Sequence, residues 1–501
     1  MATSNPLSAV TSVASDARAW LDRLWSSTAD RGRPLANVPP ATVPPLDWAR
    51  QLAQALVSER GEASGAAIAR ELQDALQALS PDDQAAFFEF VAAQFQPDPV
   101  ALRAAAERYA TEPTADGAML LGRAAEPPRQ ELLRRMNMSP GGTAALVAMR
   151  EHVLKLLKAQ PGLKPLDSDL LHLLGSWFNR GFLELRRIDW QTPAAVLEKL
   201  ITYEAVHEIA GWDDLRRRLA GDRRCFAFFH PALPGEPLIF VEVALTQGLA
   251  SAVQPLLAPC EGDEASARRR GGQADTAIFY SISNCQEGLR GISFGNFLIK
   301  QVVEELKAEL PTLVQFSTLS PIPGYHGWLV RRLEGSDGAE VFRPEEIATL
   351  RAAVGGDPDR TPADLLAAAT EGAWWQDPVR AAALLDPLRR LCAVYLTRPN
   401  TGLRGSDPVA RFHLGNGARF ERINPLGNTS ARGMKESFGL MANYLYDRND
   451  IEANHEAFVH TGHVARSAVV DALLDAPEPA DAPASPRQRP KAKPREPTPP
   501  A

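Results

Sequence analysis

The sequence predicts an α+β protein in which an N-terminal all-helical bundle domain precedes a domain that contains strands. Residues 16–182 carry apolar side chains at helical spacing and show almost no strand pattern. Short apolar runs typical of strands begin only after residue 190, at 225–229, 238–245, 277–283 and 312–317. The chain has 501 residues, which is enough for two or three domains with a large core.

Helix boundaries are marked most clearly in the N-terminal part. Ser80, Pro81 and two acidic residues form a typical helix start, with Ser80 as the N-cap. A further helix is predicted after Gly141 and Gly142, where apolar residues recur at helical spacing. This domain carries no recognisable chemistry of its own, so we interpret it as a scaffold or an oligomer contact.

The second part alternates between helices, strands and loops. The strand-like runs at 225–229 and 238–245 flank a proline-rich turn and are predicted to form a hairpin. Residues 260–276 are predicted to be a charged loop, and the arginines at 268–270 could instead meet nucleotide phosphates. Other predicted elements are helices at 193–203 and 212–219, a helical insertion at 331–398, a strand pair at 411–424 and helices at 435–446 and 451–474.

The stretch from 277 to 329 combines a strand-like run, a glycine-rich loop, a helix and a second strand-like run. The loop contains Gly288, Gly291 and Gly295, and Pro311 ends the helix after it. Unpaired backbone N–H groups and the helix dipole converge at such a helix N-terminus and favour phosphate. The glycine spacing fits neither a Walker loop nor a dinucleotide fingerprint. A plain connection therefore remains an alternative to an anion site.

Composition and charge argue against several functional classes. The net charge of −7 and the pI near 5.8 are not those of a general nucleic-acid binder. No apolar run approaches the ~20 residues that span a bilayer, and the N-terminus lacks the features of a secretory signal. We therefore expect a cytoplasmic protein without a membrane partner, and a weak organellar transit peptide in the Ser/Ala-rich N-terminus stays open as an alternative. The four cysteines form no Cys-x-x-Cys pair, so neither a zinc site nor a disulfide framework is predicted.

Three stretches together resemble the malonyl-CoA decarboxylases, a family of acyl-CoA enzymes. They are RCFAFFHPALPGEPLIFVEVAL at 224–245, the glycine-loop stretch at 277–329 with its SPIPG, and RFHLGNGARFERIN through GLMANYLY at 411–446. The similarity is spread over residues 187–474, and the N-terminal helical part is similar more loosely. SPIPG and FHLxNGA, in this order and at this separation, are highly specific.

The resemblance implies a fold, an activity and a domain organisation. The second domain would be similar to the acyl-CoA N-acetyltransferase fold, a mixed sheet flanked by helices. The activity would be conversion of malonyl-CoA to acetyl-CoA and CO2, and no metal or organic cofactor is expected because the thioester is itself the electron sink. A homo-oligomer, dimer or tetramer, would form through the helical domain. The predicted organisation is a disordered N-terminus at 1–15, a helical domain at 16–183, a catalytic acyl-CoA domain at 184–474 and a disordered proline-rich tail at 475–501.

Two residues are candidates for the chemistry. His413 lies between Phe412 and Leu414, and a histidine with an unperturbed pKa near ~6.5 can donate a proton around neutral pH. Read alone, it would be a structural histidine on a strand, and Ser320 before Pro321 would be a turn or capping serine. The family resemblance implies instead that both are catalytic. The Ser320 hydroxyl would then bond His413 or the malonyl carboxylate.

The resemblance also implies a CoA-binding loop, RGISFGN at 290–296. Gly291 and Gly295 would let the backbone approach CoA, and the following helix would direct its amides at the pyrophosphate. Two further polar contacts are predicted on the helix at 435–446, where packing on the sheet is the alternative. The predicted substrate-binding residues are Arg290, Gly291, Ile292, Ser293, Phe294, Gly295, Asn296, Asn443 and Tyr444.

No metal site is predicted. His455, His460 and His463 are expected on one helix, but their spacing does not match HExxH. Two other functions stay open at this point. One is a CoA-dependent acyltransferase on the same fold. The other is a non-enzymatic CoA-binding protein, which is favoured only if His413 and Ser320 do not share a pocket.

Overall fold

A computed structural model of the chain describes residues 43–58, 62–259, 262–292, 297–335, 338–355, 359–397 and 407–474. The chain divides into two compact units. The first comprises Met1–Ser320, Phe412–Arg419 and Asn443–Thr461, and the second comprises Pro321–Arg411, Phe420–Ala442 and Gly462–Ala501. Residues 1–15 and 475–501, which are predicted to be disordered, lie outside the described residues, so these predictions stay predictions. The predicted domain boundary at 183 also stays a prediction.

The N-terminal part of the first unit is helical, as predicted. Ser80 caps its helix, because its Oγ accepts a hydrogen bond of 3.2 Å from the Asp83 N–H. Buried leucines from several helices, among them Leu132 and Leu170, fill the space between them. The helices are α1 (Pro45–Val57), α2 (Glu62–Ala78), α3 (Pro81–Gln94), α4 (Pro99–Thr111), α5 (Ala115–Ala125), α6 (Pro128–Asn137), α7 (Gly142–Leu156) and α8 (Lys164–Trp177).

The first unit also holds most of a mixed β-sheet. Its strands are β1 (Glu184–Ile188), β2 (Arg223–Phe229), β3 (Pro237–Thr246), β4 (Thr276–Asn284), β5 (Gln315–Thr318) and the end of β7 (Met441–Leu445), in the order β1-β2-β3-β4-β5-β7. Neighbours run antiparallel except β4 and β5, which run parallel. The hairpin of β2 and β3 is confirmed. β2 and β3 are buried along almost their whole length, as expected for a sheet covered by helices.

Among the described residues, further helices lie between these strands in the first unit. They are α9 (Ala194–Tyr203), α10 (Trp212–Arg218), α11 (Gln254–Leu257), α12 (Glu264–Gly272) and α13 (Phe297–Glu309). The predicted α+β class, with a helical part followed by a mixed sheet flanked by helices, is confirmed. None of the helices among the described residues is long and apolar enough to cross a membrane.

The second unit is largely helical, and the helical character predicted for 331–398 is confirmed for the residues of that range that the structure describes. Tyr325 is buried there and donates its hydroxyl to the Leu388 carbonyl at 2.8 Å. Its helices are α14 (Tyr325–Leu333), α15 (Pro344–Val354), α16 (Pro362–Ala369), α17 (Pro378–Thr397), the start of α18 (Pro408–Gly415), α19 (Ala431–Ser437) and α21 (Ala468–Leu474). It also holds most of β6 (Arg419–Asn424) and the start of β7, while α20 (Ile451–Thr461) belongs to the first unit.

Three predicted elements at the C-terminal end are wrong. The strand pair at 411–424 is helix α18 followed by β6, and the helix at 435–446 is the end of α19 followed by strand β7. Phe438 and Gly439 adopt positive φ of 54° and 79°, which reverses the chain between α19 and β7. The helix at 451–474 is two helices, α20 and α21, with Gly462 at φ 72° after the first.

The prediction of a charged loop at 260–276 is also wrong, because helix α12 lies within this range. Asp263 caps this helix by accepting from the Ser266 N–H at 2.9 Å. The arginine triplet at 268–270 has protein partners: Arg268 pairs with Glu264 at 3.1 Å and Arg269 donates to Ser266 Oγ at 2.6 Å. Strand β1, which the sequence reading missed, pairs antiparallel with β2 at the edge of the sheet.

Candidate active site

Two element ends bring Ser320 and His413 together in the first unit. Ser320 follows β5, which ends at Thr318, and His413 lies near the C-terminal end of α18. The prediction that His413 sits on a strand is therefore wrong. Asp407 accepts hydrogen bonds from the backbone of Val409 and Ala410 and starts α18. The Asp-Pro pair at 407–408 is the sequence signal that would have predicted this helix.

The Ser320 hydroxyl is the centre of the cluster. Its Oγ lies 3.0 Å from His413 Nε2 and 2.9 Å from Thr318 Oγ1. Thr318 Oγ1 also accepts the backbone N–H of Tyr444 at 3.2 Å, which ties the cluster to β7. Ser320, His413 and Thr318 are 5%, 3% and 0% exposed, so water competes little for these bonds. The structure thus supplies the partner that the sequence reading expected for Ser320.

The other nitrogen of the histidine has a partner that the sequence reading missed. His413 Nδ1 lies 2.8 Å from the hydroxyl of Tyr446, which is itself buried. The Tyr444 ring stacks on the imidazole, with centroids 4.8 Å apart and an interplanar angle of 23°. Alternation along a strand would have placed residues 444 and 446 on one face. The helix predicted at 435–446 hid that signal.

Burial sets the protonation state of the cluster. Desolvation lowers the pKa of His413 to about 3, so the imidazole is neutral at pH 7. The expectation of a histidine that titrates near neutral pH therefore does not hold. Burial also holds the pKa of Tyr446 well above its usual range, which keeps the phenol protonated. Ser320, His413 and Tyr446 form a chain of uncharged hydrogen-bonding groups.

Asn443 supports this cluster from within β7. Its side-chain amide donates to the Thr318 carbonyl at 2.6 Å and to the Ala250 carbonyl at 3.2 Å, and the residue is fully buried. These bonds hold β7 against β5 beside Ser320. The predicted placement of Asn443 and Tyr444 on a helix is wrong, and their contact with substrate stays a prediction.

The predicted CoA-binding loop is described in part. Arg290 is exposed and pairs with Glu287 at 3.4 Å. Gly291 has φ 86°, a conformation that favours glycine, and Ile292 follows it. Gly288 packs against α7, where a Cβ on it would lie 2.0 Å from the Val147 carbonyl oxygen. The predicted contacts of Ser293, Phe294, Gly295 and Asn296 lie outside the described residues.

The C-terminal histidines are spread over more than one element. His455 Nδ1 lies 2.6 Å from the Gly415 carbonyl, and His460 is on the same helix, α20. His463 lies beyond the end of α20, so the expectation of three histidines on one helix is wrong. Among the described residues, no group of three His, Cys, Asp or Glu side chains could hold a metal ion.

Comparison with known proteins places this chain in a family. Residues 181–483 match the malonyl-CoA decarboxylase C-terminal domain, and residues 95–178 match the malonyl-CoA decarboxylase N-terminal domain. The crystal structure of malonyl-CoA decarboxylase from Rhodopseudomonas palustris is 49% identical and superposes with a TM-score of 0.75. That similarity covers 85% of this chain and 99% of the other.

Two further relatives agree with it. The structure of malonyl-CoA decarboxylase from Agrobacterium vitis is 47% identical, with a TM-score of 0.74 over 85% of this chain and 99% of the other. The mitochondrial malonyl-CoA decarboxylase of Anser anser anser is 39% identical over 69% of this chain and 69% of its own length. The fold and the matches define a decarboxylase. The chain belongs to the malonyl-CoA decarboxylase family, as its sequence motifs predict.

Proposed function

We propose that the protein converts malonyl-CoA to acetyl-CoA and CO2 through a thioester enolate that Ser320 and His413 protonate. The observation that carries the proposal is the buried contact of 3.0 Å between Ser320 Oγ and His413 Nε2. It is supported by the named activity of the relatives. The same contact removes the condition under which a non-enzymatic CoA-binding protein was favoured, and no observation favours an acyltransferase.

The chemistry needs an electron sink and a proton. When the bond between the carboxylate carbon and the α-carbon breaks, CO2 leaves and its bonding electron pair delocalises onto the thioester oxygen as an enolate. The α-carbon then takes one proton to give acetyl-CoA. Because the thioester accepts the electrons, we propose that the reaction needs neither metal nor organic cofactor. A well-placed hydrogen-bond donor to such an oxygen is typically worth ~3–4 kcal/mol.

A relay of neutral groups would supply the proton. Ser320 donates its hydroxyl proton to the α-carbon while the neutral imidazole of His413 passes a proton from Nε2 to Ser320 Oγ. The Tyr446 hydroxyl, which lies 2.8 Å from His413 Nδ1, donates its proton to that nitrogen and so keeps the imidazole neutral. Tyr446 also borders a cavity of about 160 Å³ that Lys300, Glu304 and Glu452 line, from which water would return the proton. The transfers from His413 to Ser320 and from Tyr446 to His413 each move one proton along a hydrogen bond of the structure.

One assay tests the reaction and shows whether the new methyl hydrogen comes from a solvent-exchangeable group. Purified protein is mixed with malonyl-CoA and a chelator in D2O, without added cofactor, and acetyl-CoA is followed by mass spectrometry. We expect rapid conversion with one solvent deuterium in each acetyl methyl group. CoA binding without conversion would move the assignment to an acyltransferase or a CoA-binding protein.

A further inference from the structure

Arg150 joins the helical part of the first unit to the loop at 288–291, which overlaps the start of the predicted CoA-binding loop at 290–296. It lies on α7, where the sequence reading found no chemistry, and it is 2% exposed. Its Nη1 donates to two backbone carbonyls of the loop, that of Gly288 at 2.7 Å and that of Arg290 at 2.8 Å. Its Nε donates to Asp167 Oδ1 of α8 at 2.9 Å, which fixes the guanidinium plane.

Close backbone packing seats the same loop on α7. Gly288 approaches the Val147 carbonyl so closely that no side chain would fit there, since a Cβ would lie 2.0 Å from that oxygen. The close approach of Gly288 sets the distance between the loop and the helix, and the two hydrogen bonds from the Arg150 guanidinium set the orientation of the loop. Glycine at 288 thus serves this packing.

The two hydrogen bonds from Arg150 to the loop, which we call the Arg150 clamp, also determine where one loop amide points. A trans peptide is planar, with its C=O and N–H on opposite sides. Since the Arg290 carbonyl faces Arg150, the N–H of Gly291 faces away from α7. Gly291 is exposed, and its N–H has no hydrogen-bond partner among the residues that the structure describes. An outward, unpaired N–H is the donor that an anionic or carbonyl group of CoA would take.

We propose that Arg150 is a positioning residue for CoA: it holds the 288–291 backbone in the conformation that presents the Gly291 N–H to the ligand. The role of the loop rests on the proposed function. The helical part then contributes to substrate affinity, beyond acting as a scaffold. Because Arg150 is buried beneath the loop, it acts through the backbone and does not touch the substrate.

The chain contains a matched control for this proposal. Arg129 is 5% exposed, its Nε pairs with Asp169 of α8, and its Nη1 lies within 3.0 Å and 3.5 Å of the Ala92 and Phe95 carbonyls. It makes the same kind of buried fork among the helices, but without contact to the loop. Arg129→Met and Arg150→Met should therefore lower the melting temperature comparably, while only the second changes the loop.

The test combines kinetics with hydrogen–deuterium exchange of the ligand-free full chain. For Arg150→Met we expect KM for malonyl-CoA to rise roughly tenfold with kcat within about twofold of wild type. The amides of Leu289, Arg290 and Ile292, which bond within the turn, should exchange roughly tenfold faster. Arg129→Met should show neither change. Arg150→Lys should show the same changes as Arg150→Met, because an ammonium group cannot reproduce the planar arrangement of donors in a guanidinium. If Arg150→Met does not fold, Arg150→Lys takes its place in the test.

The possible outcomes separate this inference from the proposed function. Wild-type KM in both Arg150 variants, or equal KM changes in Arg129→Met and Arg150→Met, would overturn the clamp. Unchanged exchange at 289–292 in Arg150→Met would overturn it too, even if the enzyme is active. Absence of malonyl-CoA turnover in the wild type would instead remove the proposed function. The exchange data would still decide whether Arg150 holds the loop.

Discussion

The two regions of the proposed substrate site are built in opposite ways. The cluster of Ser320, His413 and Tyr446 is uncharged, and its members bond one another side chain to side chain. The loop at 288–291 is held from below by a charged guanidinium that bonds only backbone carbonyls on the loop side. This difference fits two different proposed roles, proton transfer for the cluster and positioning for the loop. In the proposed mechanism the neutral groups exchange protons without a net change in buried charge, whereas the proposed Arg150 clamp fixes geometry and moves no proton.

The largest expected effect comes from the neutral cluster. His413→Ala and Ser320→Ala should each lower kcat by ~10²-fold or more and leave KM close to wild type, because they remove proton transfer and not binding. Steady-state kinetics with malonyl-CoA measures both parameters. His152→Ala, which changes an exposed histidine of α7, should leave kcat unchanged. A drop of less than about fivefold in both cluster variants would refute their roles.

The neutral state of His413 has a consequence for acid stability. Its pKa is about 3 in the folded protein and ~6.5 in the unfolded chain, so the unfolded chain binds the proton first as pH falls. The stabilisation is fully present above pH ~6.5 and is lost as the pH falls towards 3. Between pH 7 and pH 5 the wild type should lose about 2 kcal/mol more unfolding free energy than His413→Gln. Urea titrations at both pH values measure the difference, and equal losses would mean that the imidazole is charged when folded.

Removal of the Tyr446 hydroxyl tests the far end of the relay. Tyr446→Phe should lower kcat roughly tenfold, because His413 loses the group that returns its proton, with a smaller effect on KM. Tyr325→Phe is the control: it also removes a buried tyrosine hydroxyl, one that bonds the Leu388 carbonyl in the second unit. A wild-type kcat for Tyr446→Phe would leave the phenol a packing role only.

The smallest effect is expected at the loop. Gly291→Ala places a side chain at φ 86° and costs roughly 1 kcal/mol, which should raise KM about fivefold without a comparable change in kcat. Gly235→Ala imposes similar strain at φ 73° in the turn between β2 and β3, where nothing crowds the new methyl group. It should leave KM unchanged. Equal effects of both substitutions on KM would assign the change to general destabilisation.

Local sequence signals predicted the class and part of the site. The strand-like runs, the hairpin and the Ser80 cap could be predicted because each depends on residues that are close together in the sequence. The motifs around Ser320 and His413 pointed to both residues, and the structure brings these two side chains together. Their catalytic role and the CoA contacts of the loop remain proposals.

The missed features have two physical causes. Phe438 adopts a left-handed conformation that its residue type does not favour, so the reversal before β7 was invisible and Tyr446 was assigned to a helix face. Arg150 was missed because its partners lie 138 and 140 residues away along the chain. An arginine at helical spacing carries no local sign of such contacts.

The fit of Gly288 against Val147 bears on how this chain can be divided. A shortened version that begins at β1 would retain Ser320, His413 and Tyr446 but would lack the helix on which the loop rests. Two loop carbonyls would lose their donor, and the glycine at 288 would lose the surface that requires it. Dividing the chain at residue 183 would thus separate the loop from the helix that supports it, although the proposed catalytic residues all lie on the C-terminal side.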